Sequence, residues 1–267
     1  MIGSLALILA LQGTLADRVA SAPDGAVRFS FATRAGVCGN GRNVISFGCD
    51  DGSCGRHRIS KGNYYKDDDG NYYNDDAGCP CEPGPARVAL QKRDGQITRI
   101  RTYVGGAWRP GRDARVTDLG AVSAVAAAHY LLDLASRSTR DAGRDAVFPA
   151  VLADSVTVWP DLLRLARTPA VPHETRRSAV FWLGQAAGDA ATRGLSDLVD
   201  DTSVDVDVKE SAVFALSQLR RDEGVTALIR IARTHSSPRV RKQALFWLGQ
   251  SEDPRALALF EELLSKP

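Results

Sequence analysis

The residues of this chain best suited to covalent or metal chemistry are five cysteines, all in one stretch. Cys38, Cys49, Cys54, Cys79 and Cys81 follow the spacing C-x10-C-x4-C-x24-C-x-C. Zinc ribbons and fingers bring their ligands from closely spaced C-x2-C pairs, and this pattern holds none. Oxidised pairs are therefore the preferred reading, and a metal site is not expected. Cys49 with Cys54 closes a short loop through Gly52, and Cys38 with Cys81 ties the start of the region to its end. Other connectivities stay open, and one thiol is left over. Cys79 and Cys81 flank a single proline, too close for an easy mutual bridge. Cys54 near His57 has the composition of a thiol nucleophile with an imidazole base. A bridged or buried Cys54 accounts for the same residues.

A second candidate is a local duplication. Gly62-Asn63-Tyr64-Tyr65-Lys66-Asp67-Asp68 is followed by Gly70-Asn71-Tyr72-Tyr73-Asn74-Asp75-Asp76. Carboxylates at alternate positions can converge on calcium. An EF-hand frame begun at Asp67 places Asp69 and Asn71 well, but puts Tyr72 where glycine is required and Gly78 where the bidentate glutamate belongs. The segment reads instead as a polar loop tip with exposed tyrosines. Of the four histidines, His57, His129, His173 and His235, no two stand three or four residues apart, so a helix-borne metal pair is not expected. His129 reads as a core or boundary residue of a helix, and His173 and His235 as solvated positions between helices. G-x-S-x-G, a P-loop and a dinucleotide fingerprint are all missing, so neither a catalytic residue nor a cofactor is assigned.

The chain has 267 residues, 44% hydrophobic and 25% charged, with a formal net charge of +2. That length accommodates one large domain or two modest ones. Basic and acidic residues balance on both sides of residue 120, 16 against 13 before it and 18 against 19 after it. Polyphosphate binding needs unopposed Lys and Arg, so a nucleic-acid partner is disfavoured. An apolar run from Ile2 to Leu11 precedes Thr14-Leu15-Ala16, the small-residue pattern of a secretory cleavage site, although no Lys or Arg comes before the run. Ten residues are too few to span a bilayer, which takes about 20. Residues 1–16 are accordingly expected to be a signal peptide, and the protein periplasmic or secreted, with no stable membrane span once the signal is removed.

Residues 27 to 108 read as a small Cys-rich β domain. Val27 to Phe31 alternates apolar and polar side chains, and Asn43 to Phe47 is a weaker strand. Arg87–Arg93 and Gln96–Val104 flank Asp94-Gly95, the turn of a type I′ hairpin. Gly105, Gly106, Pro110 and Gly111 open a linker through residue 118, and Asp118 is the expected N-cap of a helix over 119 to 136.

Beyond that helix the chain repeats. ETRRSAVFWLGQ (174–185), DVKESAVFALSQ (207–218) and RVRKQALFWLGQ (239–250) align, with Phe181, Phe214 and Phe246 spaced by 33 and 32 residues. A degenerate copy carries Phe148 one period earlier. Second segments lie between, with Leu162, Leu195 and Leu228 at the same period of 33. Each unit is thus two helices. Val240, Ala244, Trp247 and Leu248 share one face of the last first helix, as do Val208, Ala212, Ala215 and Leu216, and Thr175, Ala179, Trp182 and Leu183, in earlier copies. Trp182 and Trp247 are therefore assigned to packing. The phenylalanines lie about 100° further round, at the edge of the core or between units. Gly184 and Gly249 are expected as left-handed caps, and Asp253-Pro254 as the start of a last helix. One pair buries too little apolar area to fold alone, and stacked copies bury a continuous core.

The stretch SSPRVRKQALFWLGQSEDPRALALFEELL resembles a HEAT-like repeat of the short, phycobilisome-lyase type, in its V-R-x-x-A-x-x-x-L-G signature and in D-P-R-A-L opening the second helix. The resemblance is closest over 205 to 265, good over 172 to 200 and weak over 119 to 168. With the N-terminal half it is similar to exported bacterial HEAT-repeat proteins. It implies an α-solenoid with its second helices on the concave face and a role as scaffold or interaction surface. Some relatives are lyases acting on bilins, but no catalytic motif of this sequence matches one. The expected architecture is α+β: the signal peptide, the disulfide-rich β domain, the linker 109–118, and an α-solenoid of about four helix pairs over 119–267. The expected function is a non-catalytic module for a protein partner in the cell envelope. The alternative is an enzyme with its site in the Cys-rich domain or at the junction with the concave face. Arg164 and Arg167 recur as Arg230 and Arg233, a partner-binding surface for an acidic protein. The intervening Asp197 and Asp200 break that stripe, and inter-repeat ion pairs are the competing account.

Overall fold

A computed structural model of the chain describes residues 13–42, 45–47, 64–66, 72–74, 82–108, 115–139, 141–185, 189–219 and 224–265. The chain divides into two compact units, residues 1–133 with 149–156, and residues 134–148 with 157–267.

In the first unit, α1 (Leu15–Ser21) leads into β1 (Gly25–Phe31). Then come β2 (Val37–Gly39), β3 (Ile45–Phe47), β4 (Tyr64–Lys66), β5 (Tyr72–Asn74), β6 (Glu82–Pro83), β7 (Ala86–Arg93), β8 (Gln96–Val104) and β9 (Val116–Ala121). The main sheet has the order β8-β7-β1-β9, with β9 parallel to β1 and the other pairs antiparallel. The alternation read in β1 is the buried face: Val27, Phe29 and Phe31 are fully enclosed, as are Val88 and Leu90 on β7. Asp94 and Gly95 both take positive φ, 51° and 72°, as a type I′ turn demands. The two halves of the tyrosine duplication pair with each other as β4 and β5, Tyr65 opposite Tyr73. The positions of the failed calcium frame, Asp67, Asp69, Asn71 and Gly78, lie outside the described residues, as do Cys49, Cys54, Cys79, Cys81 and His57.

The expected helix start at Asp118 is corrected. Asp118 sits on β9, one strand away from Arg28, whose Nε donates to its carboxylate at 2.9 Å. The run Val116–Ala121 completes a sheet edge through its parallel pairing with β1, although none of its residues is buried. Ser123 caps the following helix instead, its hydroxyl accepting from the Ala126 N–H at 3.1 Å. That helix, α2 (Ala124–Arg137), buries Ala127, Ala128, Tyr130 and Leu131. The Tyr130 ring meets Phe29 edge-on at 6.2 Å. The expected boundary at residue 118 therefore moves into α2, between residues 133 and 134.

The second unit is helical. α3 (Asp141–Val151), α5 (His173–Gly184), α7 (Val206–Ser217) and α9 (Pro238–Leu248) are first helices. Their partners are α4 (Trp159–Arg167), α6 (Asp189–Asp200), α8 (Val225–Thr234) and α10 (Pro254–Ser265). First helices neighbour first helices, α5 on α7 and α7 on α9, while α4, α6, α8 and α10 form the second row. The faces read from the repeat are the seams: Ala179, Leu183, Val208, Ala212, Val240, Ala244 and Leu248 are fully buried.

Gly184 and Gly249 are not left-handed caps. Gly249 has φ −68°, and among the described residues neither belongs to the positive-φ set. Gly184 serves a different need, because a Cβ there would stand 2.7 Å from the Cβ of Ala215. Two small residues let α5 and α7 touch where the repeat elsewhere carries a tryptophan.

Candidate functional site

Two surfaces of the helical unit recur with the repeat and are the candidates for binding.

The first is the aromatic edge of the first helices. Phe148 on α3 stacks on Trp182 of α5 at 4.7 Å, and Phe214 on α7 meets Trp247 of α9 at 5.0 Å. Each tryptophan is also met edge-on by the phenylalanine just before it, Phe181 and Phe246, both at 5.0 Å. A ring of one unit thus rests on the indole of the next. Phe148 and Phe214, each followed by a tryptophan one unit on, are half-buried. Phe181, whose unit is followed by Ala215, is 40% exposed, and Phe246 is 55% exposed. Trp182 is buried and Trp247 half-buried, in keeping with the packing role read for them. The indole N–H of Trp247 is enclosed and has no hydrogen-bond partner among the described residues.

The second surface carries the recurring arginines, and all four face carboxylates. Arg164 pairs with Asp161 on its own helix at 2.8 Å. Arg167 approaches Asp201 at 3.5 Å, Arg230 reaches Asp200 at 2.8 Å, and Arg233 reaches Glu262 at 2.5 Å. Of the two aspartates that interrupt the arginine stripe in sequence, Asp200 pairs with it in space, through Arg230. The second row is therefore stitched by ion pairs between successive units. Exposed pairs of this kind contribute about 0–1 kcal/mol each. The hydroxyl and backbone N–H of Ser203, then Arg167, hold the Asp201 carboxyl below its ordinary range. Arg255, through its side chain and then its backbone N–H, lowers the Asp253 carboxyl to about 2. A shallow groove of about 330 Å³ lies between α8 and α10, floored by Ile229 and Leu259 and rimmed by Arg233, Glu262 and Arg255.

The histidines depart from expectation. His235 is buried, not solvated. Its Nε2 lies 3.1 Å from the Val199 carbonyl, and its Nδ1 accepts the Ser237 N–H at 3.0 Å. That pattern specifies the neutral Nε2–H tautomer. The ring joins the end of α6 to the start of α9. His129, read as a core or boundary position, is exposed on α2. His173 stands 3.5 Å from Glu174 and 3.8 Å from Asp207 at the head of α5.

The signature arginines of α5 and α9 have a structural use, the matching position of α7 being Lys209. Arg176, buried, pairs with Asp205 at 2.5 Å. Arg241 donates to the carbonyls of His235 and Ser236 at 2.7 and 3.0 Å. These cations occupy matching positions of α5 and α9 and bind the loops that join the helices.

In the first unit, sequence reasoning missed Lys92. It reads as an exposed strand residue, yet it is 5% exposed, and its ammonium donates to three carbonyls of the α1 end: Val19 (3.1 Å), Ala20 (2.7 Å) and Ala22 (2.7 Å). The signal was its place in the inward series Val88, Leu90, Lys92. On the opposite sheet face Arg28 stacks over Trp108 at 4.9 Å.

Against this geometry, residues 202–267 match the family of HEAT repeats. The matched segment spans α7 to α10 and supports a HEAT-like repeat protein. No curated protein matches the chain. Among the described residues no helix is long and apolar enough to cross a membrane.

Proposed function

We propose that this chain is a non-catalytic interaction or scaffold module of the cell envelope, periplasmic or secreted, which holds a protein partner on its helical repeats. HEAT repeats generally mediate protein–protein contacts. The observation that carries the reading is the aromatic edge: Phe181 and Phe246 stand 40% and 55% exposed on rigid helices, each braced by a tryptophan. Aromatic side chains held in fixed orientation are the residues that most often anchor an interface. The arginine row Arg164, Arg167, Arg230 and Arg233 is the secondary surface, since binding an acidic partner there must first displace a carboxylate already in place.

Export is part of the proposal, and with it a disulfide at Cys38, whose side chain lies 3% exposed on β2. Cys81 is the partner we propose, because the β2–β6 register sets Cys38 opposite Pro83 and Gly39 opposite Glu82, one residue from Cys81 in sequence. Cys49 with Cys54 remains the second proposed pair.

The test is capture from the native envelope fraction with three baits: the wild-type chain, Phe181→Ser/Phe246→Ser, and Arg164→Glu/Arg230→Glu, each checked for unchanged circular dichroism. A protein retained by the wild type and by the arginine variant, and lost from the phenylalanine variant, supports the aromatic edge. Loss from the arginine variant alone transfers the site to the second row.

A further inference from the structure

The export reading carries a consequence for where the chain is processed. The sequence pattern places the cut after Ala16, but in the structure that bond lies inside α1. Thr14 and Asp17 form a reciprocal capping box: the Asp17 N–H donates to the Thr14 hydroxyl at 3.2 Å, and the Thr14 N–H donates to the Asp17 carboxylate at 2.9 Å. Leu15 and Val19 are buried at 6% and 3% exposure, and Ala22 at 7%.

Three side chains tie the segment to the sheet. Lys92, otherwise enclosed, places its ammonium on the carbonyls of Val19, Ala20 and Ala22. These are the carbonyls that a helix end leaves without internal partners, and a cation there is favoured by their aligned dipoles. Asp24 accepts the N–H groups of Asp94 and Gly95 at 2.7 and 3.1 Å, which clamps the chain after α1 to the hairpin turn. Arg18 reaches from α1 to the Leu119 carbonyl at 2.5 Å on β9. A buried lysine with no α1 to serve would keep its charge in an apolar wall without acceptors, a costly state.

We infer that α1 belongs to the mature domain, and that the leader is removed N-terminal to Thr14, at an amide between Leu11 and Thr14. Hydrolysis there adds one water, leaving a carboxylate on the released apolar segment and an ammonium on the retained chain. Cleavage at the Gly13–Thr14 bond sets that ammonium against the Asp17 carboxylate that already accepts the Thr14 N–H. Gly13 also supplies the small residue that leader peptidases take before the cut.

The experiment has two arms. The protein is purified from the envelope fraction, and its first residue is read by N-terminal sequencing and intact mass. A start at Gln12, Gly13 or Thr14 supports the inference. A start at Leu15 or later, or an uncut chain in the envelope, overturns it. Absence of the chain from the envelope defeats the export reading instead, and the second arm then decides the structural claim. Chains beginning at Thr14 and at Asp17 are compared by thermal unfolding. The chain beginning at Asp17 is expected to melt lower by roughly 5 °C or more, having lost its cap and Leu15. Equal melting of the two chains overturns the place of α1 in the mature domain.

Discussion

Gly184 approaches Ala215 closely in the helical stack, and substituting either residue tests the packing directly. A Cβ added at Gly184 would lie 2.7 Å from that of Ala215 and 3.3 Å from its Cα. Carbon atoms pack best about 3.5–4.0 Å apart, so Gly184→Ala asks α5 and α7 to separate by close to 1 Å. Neither atom can swing away, because one is backbone and the other a methyl fixed to it. Overpacking of this kind costs about 1–3 kcal/mol. It outweighs the gain of up to about 1 kcal/mol from replacing glycine in a helix. Ala215→Gly alone costs about 1 kcal/mol of helix propensity plus a buried methyl. Combined, the two changes restore one methyl to the contact with its partner side exchanged. Gly184→Ala/Ala215→Gly should therefore be more stable than the sum of the single changes by about 1–2 kcal/mol. Gly249 provides the control. It occupies the same repeat position, but its nearest neighbour is 3.4 Å away, so Gly249→Ala should be neutral or slightly stabilising. Urea unfolding followed by tryptophan fluorescence reads all four, since Trp182 lies on α5 and Trp247 on α9. Additivity of Gly184→Ala and Ala215→Gly to within about 0.5 kcal/mol would refute the close-contact account.

Other perturbations probe the remaining devices. Lys92→Met keeps the stem and removes the ammonium from three carbonyls; it should cost about 2–4 kcal/mol by denaturant titration, and a change below about 0.5 kcal/mol would show the latch to be idle. His235→Phe leaves the Val199 carbonyl and the Ser237 N–H without their ring partner, an expected loss of about 2–4 kcal/mol, and an unchanged midpoint contradicts the role assigned to the imidazole. Acid stability should carry the mark of Asp253. Its folded pKa lies near 2, below the ordinary carboxyl value. Its contribution is thus present in full above roughly pH 4 and is lost as pH falls through about 2. Asp253→Asn should flatten the stability profile over that window, and an identical slope in both chains argues against the Arg255 pairing.

Much of the helical half is legible in the sequence because a stack buries the same positions in every copy. The faces through Ala179, Ala212 and Ala244 follow from periodicity alone, and so does the helix-pair order. What one copy cannot reveal is how copies meet. Gly184 reads as a cap because glycine is common there, while its use is set by Ala215, 31 positions away and in the next unit. The arginine row reads as a surface because the acidic partners of Arg167, Arg230 and Arg233 belong to other units. His235 looks like a loop residue until Val199 and Ser237 are brought to its two nitrogens. In the first half, local turn chemistry makes the Asp94-Gly95 hairpin readable. The parallel pairing of β9 with β1 joins segments about 90 residues apart, and nothing local distinguishes Val116–Ala121 from the start of a helix. Lys92 stays hidden for the same reason, since its acceptors are main-chain carbonyls that no residue type announces.

The most direct test of the interaction role is site-specific photocrosslinking in the native envelope. A photoreactive phenylalanine analogue is placed singly at Phe181, Phe246, Arg164 and Arg230, and adducts are resolved by mass. A protein adduct at positions 181 and 246, with little at 164 and 230, is the predicted result. Adducts confined to 164 and 230, or none at either aromatic position, would contradict the account.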